Sequence, residues 1–428
     1  MLGSRRHPDR TTRLASTARS FLTTPGPNWQ VRSVVRQPAF LVYALSVANV
    51  IFFAAFFPLA PDIEYELGLS TVEVGALLTA YGAAFLGGSI PAGLVADRIG
   101  ARTMLIGTSV TLGIAAVGHA VAVDFWSLLV ARSLFGLSGA TVLIAGLSWL
   151  SDSVSDARRK QALAAVVPIT GLGGTTGFVL GGAAGDAFGT AAPFFACAAL
   201  FAATTVGLVL GEHGRRRHHD RQSVREMVQA GRAARGVLAV ALLFLLASLS
   251  ETLVNLLGAL QLNANGLSAG GIGAALALGT LLFVAVSLAV ARLAERLTRI
   301  AVLGLTSLLL GASLAPLLVS DSTAAIVTAM TLRSGVFGLV YGIGFPLAAI
   351  SAIRYGIRLG ATNGLLMLSI GVSYTVGPLG GAATADSIGA TWVYGVLVAG
   401  CFVGALTIFA AGWADRLAAE RHPRRAGR

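Results

Sequence analysis

The stretch Gly93-Leu94-Val95-Ala96-Asp97-Arg98-Ile99-Gly100-Ala101-Arg102 decides how this chain is read. It is a charged break between two long apolar runs, 74–95 and 103–123. A helix that crosses a bilayer needs about 20 mostly apolar residues, and each run supplies that length. Both are too long for membrane strands and lack the alternation of a barrel strand. The stretch is therefore a loop between two membrane helices, with Asp97 set among the arginines Arg98 and Arg102.

Outward from this hairpin the pattern repeats. Apolar runs of spanning length occupy 39–60, 74–95, 103–123, 125–150, 162–185 and 191–210, then 237–261, 270–291, 300–319, 324–350, 362–383 and 390–412. Composition agrees. Only 12% of the 428 residues are charged and 55% are apolar. A soluble domain carries about 25% charged residues, and disordered chains are poor in apolar ones. Two cysteines exclude a disulfide scaffold. The expected fold is an all-α membrane protein with twelve transmembrane helices in two pseudo-symmetric six-helix bundles. A cytoplasmic tail, 1–38, is read as disordered and lacks the apolar core of a signal peptide. The amino-terminal bundle is 39–210, the cytoplasmic linker 211–236, the carboxy-terminal bundle 237–412 and a second cytoplasmic tail 413–428.

The net charge of +12 would suggest nucleic acid in a soluble protein. Its placement says otherwise. With the amino terminus inside, all but two of the 31 Lys and Arg residues fall in inner segments. The outer segments carry acids only, among them Asp62, Glu64, Asp124, Asp186, Asp321 and Asp386. That partition follows the positive-inside rule and puts both termini in the cytoplasm of a plasma (inner) membrane. The linker cluster Arg215-Arg216-Arg217 reads as a surface beside anionic lipid, and no nucleic-acid partner is expected.

The two halves share a repeat. Glycines at 173, 177, 181, 185 and 189 are followed 200 residues later by Ser373, Gly377, Gly381, Ala385 and Gly389. Asp186 recurs as Asp386. Gly68-Leu69-Ser70 recurs as Gly266-Leu267-Ser268 and Ala96-Asp97-Arg98 as Ala294-Glu295-Arg296, both at an offset of 198. Arg132-Ser133 recurs as Arg333-Ser334. Two six-helix halves of the same topology are the parallel-repeat plan of secondary transporters. Residues four apart share a helix face, so Gly173, Gly177 and Gly181, and Gly377, Pro378 and Gly381, form ridges that let a neighbouring helix come close.

The loop at 93–102 resembles the signature of the major facilitator superfamily, G-x-L-a-D-R-x-G-R/K-R/K, with Ala101 at one basic position. Arg132-Ser133-Leu134-Phe135-Gly136-Leu137-Ser138-Gly139-Ala140 is similar to that family's helix-4 signature. Gly173-x3-Gly177-Phe178-x2-Gly181-Gly182 resembles its antiporter signature, with Phe178 where the pattern has proline; Pro378 follows Gly377 in the second copy. The resemblance covers 39–412. It implies a cytoplasmic gating loop of Gly93, Asp97, Arg98, Gly100 and Arg102. Asp97 would meet the start of helix 11, Arg98 or Arg102 would sit near Asp152, and Glu295 with Arg296 would form the mirrored latch. It also implies a central cavity lined by helices 1, 4, 7 and 10.

Charges inside a bilayer are costly and mark function by default. Arg132, Glu251 and Arg333 lie in helices 4, 7 and 10. Burial favours a neutral carboxyl and a neighbouring guanidinium favours the carboxylate. Protonation of Glu251 linked to making and breaking a Glu–Arg contact would couple protons to transport. Asn49, Asn255, Tyr341 and Tyr374 are further candidates for a substrate or proton site. His218-His219 has no companion ligands at zinc spacing, and the chain has no phosphate-binding GK[ST] loop. Neither metal, cofactor nor enzymatic activity is expected.

These residues imply a monomeric transporter whose partners are a small-molecule substrate, protons and membrane lipid. Proton-coupled export of a small organic compound or drug leads. Uptake or exchange of an anion in a cavity with two arginines is the alternative, and a non-transporting sensor is the third reading.

Overall fold

The computed structural model describes residues 37–211, 235–297, 300–354 and 359–421. Among them are twelve helices long and apolar enough to cross a membrane. In chain order they are α1 Pro38–Glu66, α2 Thr71–Ile99, α3 Ala101–Ala120, α4 Phe125–Ser153, α5 Asp156–Phe188 and α6 Ala191–Leu210. The second half has α7 Arg235–Ala264, α8 Ala269–Leu297, α9 Ile300–Val319, α10 Thr323–Arg354, α11 Leu359–Ile388 and α12 Ala390–Arg421. No strand occurs among the described residues. In hydrocarbon a helix satisfies its own backbone, which is why apolar runs of this length fold this way.

Local chemistry sets the ends. Pro38 occupies the first turn of α1, where its missing N–H costs nothing. Ser70 with Glu73, and Asp124 with Ser127, form reciprocal caps at the starts of α2 and α4. The Ser127 hydroxyl and amide hold the exposed Asp124 carboxyl below its ordinary range. Gly68 and Gly266 turn the chain after α1 and α7 with φ of 63° and 87°, a region that favours glycine. They are repeat mates.

Two elements differ from the apolar pattern. α9 is broken into Ile300–Ser313 and Pro316–Val319. Pro316 has no N–H for Ala312, and the turn tightens through Leu314 N–H to Gly311 and Ala315 N–H to Ala312. α12 runs on to Arg421, so the segment set apart as a tail from 413 is helical over its first nine residues. The apolar run ends near Gly412, but residues 413–421 contain neither Pro nor Gly to stop a helix.

The packing obeys the repeat. α1 lies on α5 as α7 lies on α11, α2 on α4 as α8 on α10, and α3 on α6 as α9 on α12. The two bundles meet along α2 with α11 and α5 with α8. Phe52, Phe56, Phe135, Phe194 and Phe201 fill the first bundle, while Phe244, Leu303, Val340 and Ile408 lie within the second. Large apolar side chains such as Ile114, Val130, Val206 and Val403 face outward. That is the reverse of a soluble surface and suits contact with lipid.

Candidate functional site

Close approach brings the bundles together. A Cβ on Gly75 of α2 would lie 2.8 Å from the Pro378 carbonyl oxygen of α11. Its mate Gly273 of α8 stands in the same relation to the Phe178 carbonyl oxygen of α5. Phe178 and Pro378 are themselves mates, so the seam has a pseudo-two-fold through its backbone contacts. Gly82 lies against Tyr374, and Gly182 against Ala269. These contacts sit toward the ends that carry Glu64, Asp186, Asp321 and Asp386. The glycine ridge of α5 faces elsewhere. A Cβ on Gly173 would meet the Val47 carbonyl oxygen at 3.2 Å and one on Gly177 the Ile51 carbonyl oxygen at 2.5 Å, with Gly181 on Ala55, all on α1. Gly377 and Gly381 lie on Leu249 and Leu253 of α7. The ridges thus hold each bundle together, and the glycines of α2 and α8 form the joint between bundles.

One polar cluster lies at this joint. Glu251 of α7 has the Tyr374 hydroxyl within hydrogen-bonding reach and Arg333 and Tyr341 in electrostatic range. Arg333 makes no direct ion pair with it. One of its terminal nitrogens donates to Asn255 Oδ1 at 3.0 Å and to Ser334 Oγ at 3.0 Å. Nε and Nη1 have no partner among the described residues. Asn255 is one turn from Glu251 on the same face, which is why α7 can serve both. Tyr341 stands among Phe337, Phe244, Phe345 and Phe283, with ring centroids 4.9 to 5.8 Å away. Tyr374 crosses the seam. It stacks on Phe53 at 5.7 Å and lies 6.2 Å from Tyr81, both of the first bundle. Tyr81 lies on α2, outside the helices that the family resemblance gives to the cavity, and nothing in the sequence marks it for the joint.

Arg132 is not part of this cluster. It is fully buried within the first bundle, with its guanidinium carbon 3.5 Å from the centre of the Phe56 ring. None of its guanidinium nitrogens has a hydrogen-bond partner among the described residues. Tyr81 and His119 are in electrostatic range. A cation over an aromatic face is favourable when desolvated, by about 2 kcal/mol. The two arginines therefore have no direct partner in common: Arg132 lies on Phe56, and Arg333 bonds Asn255 and Ser334. The sequence shows why: at the 198 offset Phe53 stands for Glu251 and Phe57 for Asn255. Asn49 lies near the Tyr81 hydroxyl across Gly139, and its Oδ1 is buried without a hydrogen-bond partner among the described residues.

This contrast gives a stability test. Arg132→Met removes a charge that has no hydrogen bond to lose, and a buried charge is often replaced by an apolar isostere at no cost. Its Tm in detergent is expected to stay level or rise. Arg333→Met strands Asn255 and leaves Glu251 without its nearest positive charge, costing about 1–3 kcal/mol. A larger loss for Arg132→Met than for Arg333→Met would contradict these environments.

The loop after α2 is partly described. Arg102 donates from Nε to the Leu208 carbonyl at 3.1 Å and from Nη2 to the Val209 carbonyl at 2.8 Å. It thus neutralises the carbonyl end of α6. Arg98 is exposed, Asp152 is half-buried, and Gly100 turns the chain between α2 and α3 with φ 89°. The latches expected of Asp97 and of Glu295 with Arg296 fall on side chains outside the described residues, as does Gly93.

Two repeated six-helix bundles, joined by glycine contacts beside a half-buried carboxyl, define a membrane-transporter fold. The chain belongs to the Major Facilitator Superfamily, whose model matches residues 40–356. It is 25% identical over 185 residues to the MFS-type transporter ppzB of Metarhizium rileyi, covering 41% of this chain and 37% of that protein. It is 28% identical over 147 residues to the major facilitator superfamily multidrug transporter mfsC of Aspergillus fumigatus, covering 34% and 28%. The chain thus matches well under half the length of these relatives. Among solved structures, a bacterial homologue of the human lysosomal transporter Spinster, inward-facing and unoccupied, superposes with a TM-score of 0.70 at 14% identity, covering 88% of this chain and 93% of that one. The nucleoside transporter NupG gives 0.70 at 12% identity, covering 88% and 100%. At such identities the likeness is one of fold.

Proposed function

We propose that the protein is a secondary transporter that exports a small organic compound against inward proton flow by rocking its two bundles about the seam. The observation that carries this reading is Glu251. A half-buried carboxyl at the joint between two moving bodies, next to Tyr374 and Arg333, can take and release a proton as the joint opens and closes. The aromatic surroundings of Tyr341 and Tyr374 suit an organic compound with a substantial apolar part. The multidrug transporter among the relatives points the same way. The anion reading loses support, because only Arg333 of the two arginines joins the cluster. We place the protein in the plasma membrane as a monomer, with both termini cytoplasmic on the strength of the basic residues. The acid-bearing ends then face outward.

Cells that express the protein are expected to accumulate less of a transported compound than cells without it, and a protonophore should abolish the difference. Equal accumulation across a broad panel of organic compounds would favour a sensor over a transporter.

A further inference from the structure

The repeat departs from symmetry at the acid-bearing ends of α5 and α8, and that departure gives Asp186 a task. α2 starts with its own cap: Glu73 N–H donates to Ser70 Oγ at 3.2 Å, and Ser70 N–H donates to the Glu73 carboxylate at 2.8 Å. At the matching start of α8, 198 residues on, Ser268 is kept but Gly271 stands where Glu73 stands. α8 therefore begins without an acid of its own. The other bundle supplies one. Asp186, in the last turn of α5, accepts from Ser268 Oγ at 2.7 Å and from the Gly270 amide at 3.0 Å. A carboxylate is favoured at the positive end of a helix and binds amide N–H groups strongly. Gly270 leaves the room this needs, since a Cβ there would lie 2.5 Å from Asp186 Oδ2. Asp386, the mate of Asp186, has no such opening, because Glu73 already caps α2.

We propose that Asp186 is a latch that caps α8 from across the seam and biases the molecule toward closure at its acid-bearing end. It is a positioning residue that need not touch the transported compound. The single latch makes the two seams unequal: α5 and α8 are tied by a carboxylate, while among the described residues α2 and α11 are tied by Leu379 N–H donating to Thr79 Oγ1 and by no carboxylate. The proposal rests on the rocking-bundle reading but not on the identity of the compound.

Spin labels on Val123→Cys and Val319→Cys, both exposed and one per bundle, test it by pulsed electron resonance in the full chain. The native Cys197 and Cys401 are buried. The unsubstituted latch should give mainly the short distance. Asp186→Ala should raise the ratio of long to short distances by about fivefold or more, the worth of a single ordinary hydrogen bond, since both bonds are exposed to water. Gly270→Ala, which crowds the same carboxylate from the other side, should shift it in the same direction, and Asp386→Ala should leave it unchanged. An unshifted distribution in both Asp186→Ala and Gly270→Ala overturns the latch, as does an equal shift in Asp386→Ala. A single distance in every variant, whatever the pH, overturns the latch and the rocking reading together.

Discussion

Glu251→Gln is expected to bring gradient-driven transport down to the level of protein-free vesicles, while the protein folds and still binds its compound. Glutamine keeps the shape of the side chain and its polar contact with the Tyr374 hydroxyl, so the joint between bundles survives. Arg333 keeps its bonds to Asn255 and Ser334, which limits the cost of losing a nearby negative charge. What disappears is the proton site, because an amide does not take up and release a proton. The pattern to look for is a large loss in rate driven by the pH gradient, with little change in ligand-induced thermal shift. Binding to the folded state raises apparent stability, so the thermal shift reports on occupancy separately from turnover. Full gradient-driven activity in Glu251→Gln would remove Glu251 from the mechanism.

The second large effect concerns two glycines that look alike in sequence. Gly82→Val places a side chain on the Tyr374 backbone of the opposite bundle. Each bundle can still form, but they cannot close at this joint, so the expected outcome is a folded protein with no transport. Gly181→Val places a side chain on the Ala55 backbone of its own bundle. There α1 and α5 cannot part without loss of the bundle. Overpacking a core costs about 1–3 kcal/mol, and here a backbone is the obstacle, so Gly181→Val is expected to express poorly or to unfold about 5 °C or more below the native protein. Gly395→Ala, in open space, serves as the control and should behave as the native protein. Equal behaviour of Gly82→Val and Gly181→Val in thermal unfolding and in transport would contradict this division into joint and bundle.

These residues also show what could be read before the structure. The length of the apolar runs gave twelve helices, since in a bilayer little else satisfies the backbone of such a run. The repeat gave the pairing of the halves, because glycine and charge are rare enough at matched offsets to register. Glu251, Asn255, Arg333 and Tyr374 could be singled out because a polar group in hydrocarbon needs a reason. Arg132 met the same criterion, but its surroundings did not follow. α4 is apolar on all sides, so its rotation about its own axis leaves no trace in the residue pattern. That rotation sets Arg132 on Phe56, while the guanidinium in electrostatic range of Glu251 is that of Arg333. Tyr81, Gly75 and Gly82 were equally hidden as parts of the joint. Small and aromatic residues serve packing inside a bundle and between bundles alike, and only three-dimensional placement separates the two uses.

The ends of the helices were less legible for a different reason. Hydropathy marks the width of the hydrocarbon, whereas a helix continues until a cap, a glycine or a proline stops it. α12 therefore overruns its apolar segment to Arg421, and α9 breaks at Pro316 inside its own. The task of Asp186 lay in a difference between the repeats, the exchange of Glu73 for Gly271. Its meaning required knowing that α5 ends beside the start of α8.

In the proposed cycle, movement of an organic compound is tied to movement of a proton through the seam. Sealed proteoliposomes containing the purified chain, a pH-sensitive dye inside and an imposed pH gradient measure that tie directly. Addition of a compound that the protein exports should evoke a proton flux opposite to the compound, absent from protein-free vesicles and absent with Glu251→Gln. Transport of the compound with no accompanying proton movement would contradict the account.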